Sequence, residues 1–253
     1  MTAQPPTSPD SAESLVAENR LLGELIRHAD LSTPVPTCPG WSLLQLFRHV
    51  GRGHRWAAQI VAERRSEPLD PRTVSNGKPP EDPDGAIDWF HDSARALLDA
   101  VAQVGADTPV WTFVGPRPAA WWIRRRLHEE TVHRADAELA LGRPVDLSAP
   151  LAADGISEWL DILAGRPGPL AEGVRMHLHA TDPMLGETGE WTVEGTEDGI
   201  TWQHGHAKGD VALRGGATAL LLALTRRQTA KEAGLEVLGD EAVWTGWLAA
   251  TPF

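Results

Sequence analysis

The chain of 253 residues contains one cysteine and no tyrosine. A lone thiol, Cys38, excludes an internal disulfide and any cysteine-based zinc cluster. Without a phenol, no tyrosine can serve as general acid or nucleophile. Basic residues are also scarce, with 23 Lys and Arg against 35 Asp and Glu and a net charge of −12. The segments before and after Arg166 are both acidic, which argues against a nucleic-acid surface and against an anchor on anionic membrane. The longest apolar run, residues 217–224 with Thr218 inside it, is far too short for a membrane span. The opening MTAQPPTSPDSAES has neither the basic nor the apolar region of a secretion signal. These absences predict a soluble, cytoplasmic protein; a small molecule is the expected partner, and monomer and dimer both stay open. What the chain has in quantity is ten histidines and eleven tryptophans.

Residues 1–13 are rich in Pro, Ser and Thr and read as a disordered tail. From residue 14 the positions Leu15, Leu22, Leu25, Ile26 and Ala29 recur at helical spacing. The Pro-rich loop 32–40 ends that helix, and Ser42 caps a second in which Leu46, Val50, Gly53, Ala57 and Ile60 share a face. Residues 66–86 show no period, and an irregular connection of that length is often an active-site lid. A third helix carries Ile87, Phe90, Ala94, Leu97, Val101 and Val104 as its stripe. A fourth spans 119–141, and a short fifth spans 152–163. Four amphipathic helices with one long crossover predict a four-helix bundle over 14–165. The GRPGPLAEG run at 165–173 has linker composition. Beyond it, strands are expected near 174–179, 191–194, 200–203, 211–213 and 235–238, and helices over 217–228 and 241–248. The fold class is therefore α+β in two domains, with 166–253 as a small sheet covered by helices.

The fourth helix holds the most informative run, LHEETVHRAD at 127–136. Glu129 and His133 are four residues apart and so lie on one face, about 40° apart around the axis. His128 and His133 are five apart, about 140° around, which rules out the HExxH pattern of zinc proteases. A catalytic metal takes three protein ligands and one open position. His49, between Leu46 and Gly53 on the inward face of the second helix, is the candidate third ligand, whereas His54 points well away. The same spacing equally suits a core His49 hydrogen-bonded to Glu129, with His133 as a surface residue near the helix end. Cys38 reads as a small residue packed under Trp41 with no basic neighbour. The pairs His177/His179 and His204/His206 read as structural or solvent-facing, because no carboxylate stands at ligand spacing.

The run Cys38-Pro-Gly-Trp-Ser-Leu-Leu-Gln-Leu-Phe-Arg-His-Val and the run Leu127-His-Glu-Glu-Thr-Val-His-Arg-Ala-Asp-Ala resemble the two metal-helix signatures of the mycothiol-dependent maleylpyruvate isomerase family. His179-Ala-Thr-Asp182, Gly189-Glu-Trp191, Val211-Ala-Leu-Arg-Gly215 and Val237-Leu-Gly-Asp240 are similar to its C-terminal segments. The resemblance implies a DinB-like metal-binding four-helix bundle followed by a domain resembling sterol-carrier proteins. It carries the family's zinc ligands onto His49, Glu129 and His133. It also implies mycothiol, the low-molecular-weight thiol of actinobacteria, as cofactor or cosubstrate.

Two imidazoles and a carboxylate suit a divalent ion, zinc before iron, nickel or cobalt. Such an ion stabilises a deprotonated thiol, and thiolate is the nucleophile. Since Cys38 is the only cysteine, that thiol comes from outside the chain. In the family's reaction it adds to a cis double bond conjugated with a carbonyl, the bond rotates, and elimination returns the trans isomer. Transfer of the sulfur to an electrophile uses the same start. A hydrolase working on bound water and a non-catalytic small-molecule carrier are the competing readings. An anionic substrate or cofactor needs local positive charge. Arg52 and Arg126 are the candidates for binding the thiol, and Arg226 or Arg227 for the catalytic contact, since the family isomerase relies on a C-terminal-domain arginine. Most arginines of the fourth helix, Arg134 among them, are expected to be surface partners of Glu130 or Glu138.

Overall fold

The computed structural model describes residues 9–164, 166 and 168–251. The chain divides into two compact units, Met1–Val145 and Asp146–Phe253. Of the expected disordered tail, residues 1–8 lie outside the described residues, whereas the chain from Pro9 onward is already helical.

The first unit contains α1 (Pro9–Arg27), α2 (Leu43–Ala62), α3 (Pro83–Val104) and α4 (Trp121–Ala140). Local chemistry sets the starts. Gln45 reaches back to accept the Ser42 N–H at 2.7 Å in a capping box ahead of α2. Asp82 caps α3 by accepting from the Gly85 N–H at 2.7 Å, with Pro83 in the first turn. Leu22, Ile26, Leu46, Phe47, Val50, Ile87 and Phe90 form a shared core between α1, α2 and α3. A two-stranded ribbon, β1 (Pro109–Val110) with β2 (Arg117–Pro118), leads into α4.

The fourth helix departs from expectation. It is not amphipathic. Arg124, Arg125, Arg126, Glu130, Arg134, Asp136 and Glu138 are all buried, although helix packing normally hides an apolar stripe. Charges survive there because they pair. Arg134 Nε donates to Glu18 Oε2 at 2.7 Å and its guanidinium also binds Glu138, so Arg134 is an interior residue and not the surface partner expected.

The expected lid is also tied down. Trp56 Nε1 donates to Leu69 O (2.8 Å), Gln59 Oε1 accepts from Ser75 N (3.1 Å), and Trp89 Nε1 donates to Asn76 O (2.7 Å). These bonds fasten the connection to α2 and α3.

The second unit starts with α5 (Ala149–Leu163), followed by β3 (Arg175–Ala180), β4 (Glu190–Thr196), β5 (Gly199–His204), β6 (Val211–Gly215), α6 (Ala217–Leu224), β7 (Glu236–Gly239) and α7 (Glu241–Ala250). The domain boundary is therefore not at 165. It lies after Val145, and α5 belongs with the sheet, packed against α6. The physical reason is that Ala152, Ile156, Leu160 and Leu163 are buried within this unit, while Gly168, Pro169 and Gly173 lie in the irregular stretch that leads into β3. The strand order is β5-β4-β3-β6-β7, with β3 and β6 parallel and the other neighbours antiparallel. Alternation along β3 and β4 sends Met176, Leu178, Trp191 and Val193 to the covered face, where Trp191 Nε1 donates to Ser157 Oγ of α5 at 2.9 Å. His177, His179, Glu190 and Thr192 take the opposite face. Among the described residues no helix is long and apolar enough to cross a membrane.

Candidate metal centre

His49 of α2 and Glu129 and His133 of α4 meet. Their ligand atoms lie within 4.8 Å of one another. Glu129 Oε1 is 3.1 Å from His49 Nε2 and 3.7 Å from His133 Nε2. The two imidazole rings stand 5.0 Å apart, edge to face. His49 is not the most inward histidine of α2, as the spacing suggested. Its side chain is 41% exposed, whereas His54 is fully buried and hydrogen-bonded to Glu130 at 2.9 Å. His133 is buried rather than at the surface.

The surroundings orient each donor. Asp136, one turn beyond His133, bonds His133 Nδ1 at 2.9 Å and so leaves Nε2 turned toward Glu129. Asp136 is itself held by Thr37 Oγ1 at 2.6 Å and by Cys38 Sγ at 3.5 Å. The turn before α2 thus fixes α4 chemistry. Cys38 is half-buried and has His133 as a basic neighbour, contrary to expectation. Trp41 forms a wall, its ring 4.9 Å from His49 and 6.3 Å from His133.

Electrostatics favour an ionised carboxylate. Burial pushes the Glu129 carboxyl up, but Arg126, Arg125 and the hydrogen bonds of both histidines outweigh it and hold the group well below its usual value. Arg125 binds Glu129 Oε2 at 2.8 Å, which leaves Oε1 to the histidines. Burial opposes charge on His133 as well, yet Asp136, Cys38 and Glu129 push its pKa up to about 10. Desolvation lowers the His49 imidazole. Of the two imidazoles, His133 is therefore the one whose protonated form the surroundings favour, because it lies between two carboxylates, Glu129 and Asp136, which would equally favour a bound cation. The donor set, its orientation and its charge fit a divalent ion.

The arginines divide. Arg126 is buried, 3.6 Å from Glu129 Oε1, with its NH2 group donating to Val50 O at 3.2 Å. It fits only because residue 53 is glycine, where a Cβ would collide with the guanidinium. Arg52, one turn past His49, donates to Gly77 O at 3.3 Å and lines a cavity of about 460 Å³ with Arg72, Val74 and Lys78. Arg226 and Arg227 follow α6 in the second unit. Arg226 has a left-handed backbone (φ 63°), and Arg227 donates to Thr225 O at 2.7 Å. Sequence reasoning missed Asp136 and Arg125. The signal was there, since Asp136 is three residues after His133 and Arg125 four before Glu129.

Residues 12–138 match the family described as Mycothiol maleylpyruvate isomerase N-terminal domain, and residues 150–246 match MDMPI C-terminal domain. The chain belongs to this family. Two crystal structures share the fold, one of the mycothiol-dependent maleylpyruvate isomerase and one of a histidine-to-alanine mutant of that enzyme. They align at TM-scores of 0.56 and 0.55 with 16% identity, covering 87% of this chain and 89% of theirs. No curated protein matches the chain significantly. The boundaries of the two family regions leave 139–149 between them, in agreement with the division after Val145.

Proposed function

We propose that the chain is a metal-dependent enzyme that uses mycothiol, either to isomerise a maleylpyruvate-like unsaturated acid or to transfer sulfur to an electrophile. The observation that carries this reading is the convergence of His49 Nε2, Glu129 Oε1 and His133 Nε2, with His133 Nδ1 held by Asp136. Zinc is the ion best suited to two imidazoles and a carboxylate. When bound, it supplies the positive charge that stabilises an external thiol as thiolate near neutral pH.

The protein's own side chains do the rest. Arg125 and Arg126 keep Glu129 ionised, and Asp136 fixes which nitrogen His133 presents. Trp41 screens both imidazoles on one side. Arg52, with Arg72 and Lys78, puts cationic charge around a cavity that begins one helical turn from His49, suited to an anionic group of the thiol or substrate. Arg126 is assigned to shaping Glu129 rather than to direct contact with the thiol, because its guanidinium is enclosed by Val50, Gly53 and Glu129. A carboxylate of the substrate is assigned to Arg226 or Arg227, on the family resemblance.

The test pairs elemental analysis of the tag-free protein with turnover assays on maleylpyruvate and on a thiol-reactive electrophile, each with and without mycothiol. Stoichiometric metal together with mycothiol-dependent turnover is expected. Turnover undiminished when every thiol is removed would replace this reading with hydrolysis.

A further inference from the structure

The second unit holds another cluster of two histidines and a glutamate, on the sheet face opposite α5 and α6. In the sequence no carboxylate stands at ligand spacing to these histidines. The fold supplies one. Glu190, at the start of β4, pairs in register with His179 and lies diagonal to His177 on β3. Its Oε2 is 2.9 Å from His177 Nε2 and 2.7 Å from His206 Nδ1. The rings of His177 and His206 are 4.8 Å apart, and that of His179 is 6.0 Å from His177.

The loop that brings His206 back is built for the purpose. Gly205 has φ 119°, a conformation that side chains with a Cβ rarely adopt, and it lets the chain reverse over β4. Gly205 N and His204 Nδ1 both bond the Glu190 carbonyl, at 3.1 and 3.0 Å, and Thr192 Oγ1 donates to Gly205 O at 3.0 Å. These bonds pin the loop beside Glu190 before any ligand arrives.

We propose that His177, Glu190 and His206 form a second transition-metal site, separate from the one on α2 and α4. The three ligand atoms lie within 4.8 Å of one another. An ion held at about 2.0–2.2 Å from each donor spaces them by about 3.3 Å in a tetrahedron. His206, whose side chain is 73% exposed, is free to make that adjustment. Two imidazole nitrogens and one carboxylate oxygen select zinc-like ions over calcium or magnesium, which want oxygen ligands. His179 on the same face, or water, completes the coordination. The ion would join β3, β4 and the loop after β5, and its binding would stabilise this sheet by mass action.

The test is a zinc titration of tag-free, chelator-stripped full-length protein against a chromophoric chelator. The wild type is expected to bind two equivalents. His206→Ala, at an exposed position where folding is not at stake, is expected to bind one, as is Glu190→Gln. His49→Ala should also bind one, and cobalt added to it should give the visible spectrum of a site containing nitrogen ligands. Wild-type stoichiometry and affinity in both His206→Ala and Glu190→Gln would overturn the second site. The two readings fail differently. If only the α2–α4 site is wrong, the wild type binds one ion and His206→Ala binds none. Calcium or magnesium competing equally with zinc would also overturn the proposal.

Discussion

Helices α2 and α4 exchange two histidine–glutamate pairs, His49 with Glu129 and His54 with Glu130, whose chemistry is the same and whose surroundings differ. His54 and Glu130 are fully buried, and both oxygens of Glu130 are taken, Oε2 by His54 and Oε1 by Asn19 Nδ2 at 3.0 Å. Asn19 in turn bonds His91 Nδ1 at 2.8 Å, and Arg126 Nε donates to His54 Nδ1 at 3.5 Å, so the polar groups of this pair are taken up by protein partners. His49 and Glu129 sit at the rim, 41% and 22% exposed, with one oxygen shared among His49, His133 and Arg126. A closed pair is a packing device. An open pair with a third donor and an oriented second histidine is a place where a ligand can be held. Residue types do not separate the two cases, but exposure and the number of groups competing for one oxygen do.

The sharpest way to break this comparison is to remove each glutamate in turn. Glu129→Ala is expected to abolish stoichiometric metal in the α2–α4 site and thiol-dependent turnover, with the helical circular dichroism unchanged. Metal content and activity equal to wild type would show that the open pair is no site at all.

Glu130→Ala should do the opposite. Taking away the carboxylate leaves His54 and Asn19 without their shared partner in a dry interior, a loss of about 3 kcal/mol of folding stability. Chemical denaturation measures it, and the folded fraction should still bind metal. Glu130→Gln, which keeps the hydrogen-bond acceptor toward Asn19, should recover part of the loss. If instead Glu130→Ala lowers metal affinity while stability is unchanged, the buried pair belongs to the site.

Asp136→Asn probes how the open site is organised. The Asp136 carboxylate fixes the orientation of His133, and loss of such an outer partner typically weakens metal binding about 10- to 100-fold. A competition titration reads this directly. Unchanged affinity would mean that His133 needs no support, and that Thr37 and Cys38 hold Asp136 for some other purpose.

Much of the architecture was legible because periodicity reports burial wherever the core is apolar. Leu46, Val50, Ala57 and Ile60 mark α2, and alternation through Met176 and Leu178 marks β3. Periodicity is silent where polar residues are buried. Nothing in WWIRRRLHEETVHRAD says that its arginines are interior, since their partners Glu18 and Glu129 come from tertiary contacts or from a face hidden on both sides. The interior position of His54 is hidden from the spacing for the same reason. Glycine and proline at 165–173 predict the boundary there, whereas the division falls after Val145, in a stretch 143–148 with a single proline. The trio His49, Glu129 and His133 was legible because two members share a helix face. Glu190 was not, because only strand pairing carries it to His177.

The smallest expected effect separates the two pairs by pH. Burial lowers the His54 pKa below its ordinary value of 6.5, and the Glu130 charge restores only part of it. The folded state therefore holds fewer protons at this residue than the unfolded chain does once the pH falls below about 6.5. Stability depends on pH through that difference. The contribution of His54 is constant above the unfolded value, and below it stability falls by at most about 1.4 kcal/mol per pH unit. His54→Gln cannot take up the proton. Its denaturation midpoint should thus drop less than that of wild type between pH 7.5 and 5.5, even if it is less stable at both. His91 and His177, whose pKa values burial also lowers, are common to both proteins and cancel in the comparison. Equal drops in the two proteins would mean that His54 titrates alike in the folded and unfolded states, and a larger drop in His54→Gln would mean that the folded protein holds His54 protonated in an ion pair with Glu130.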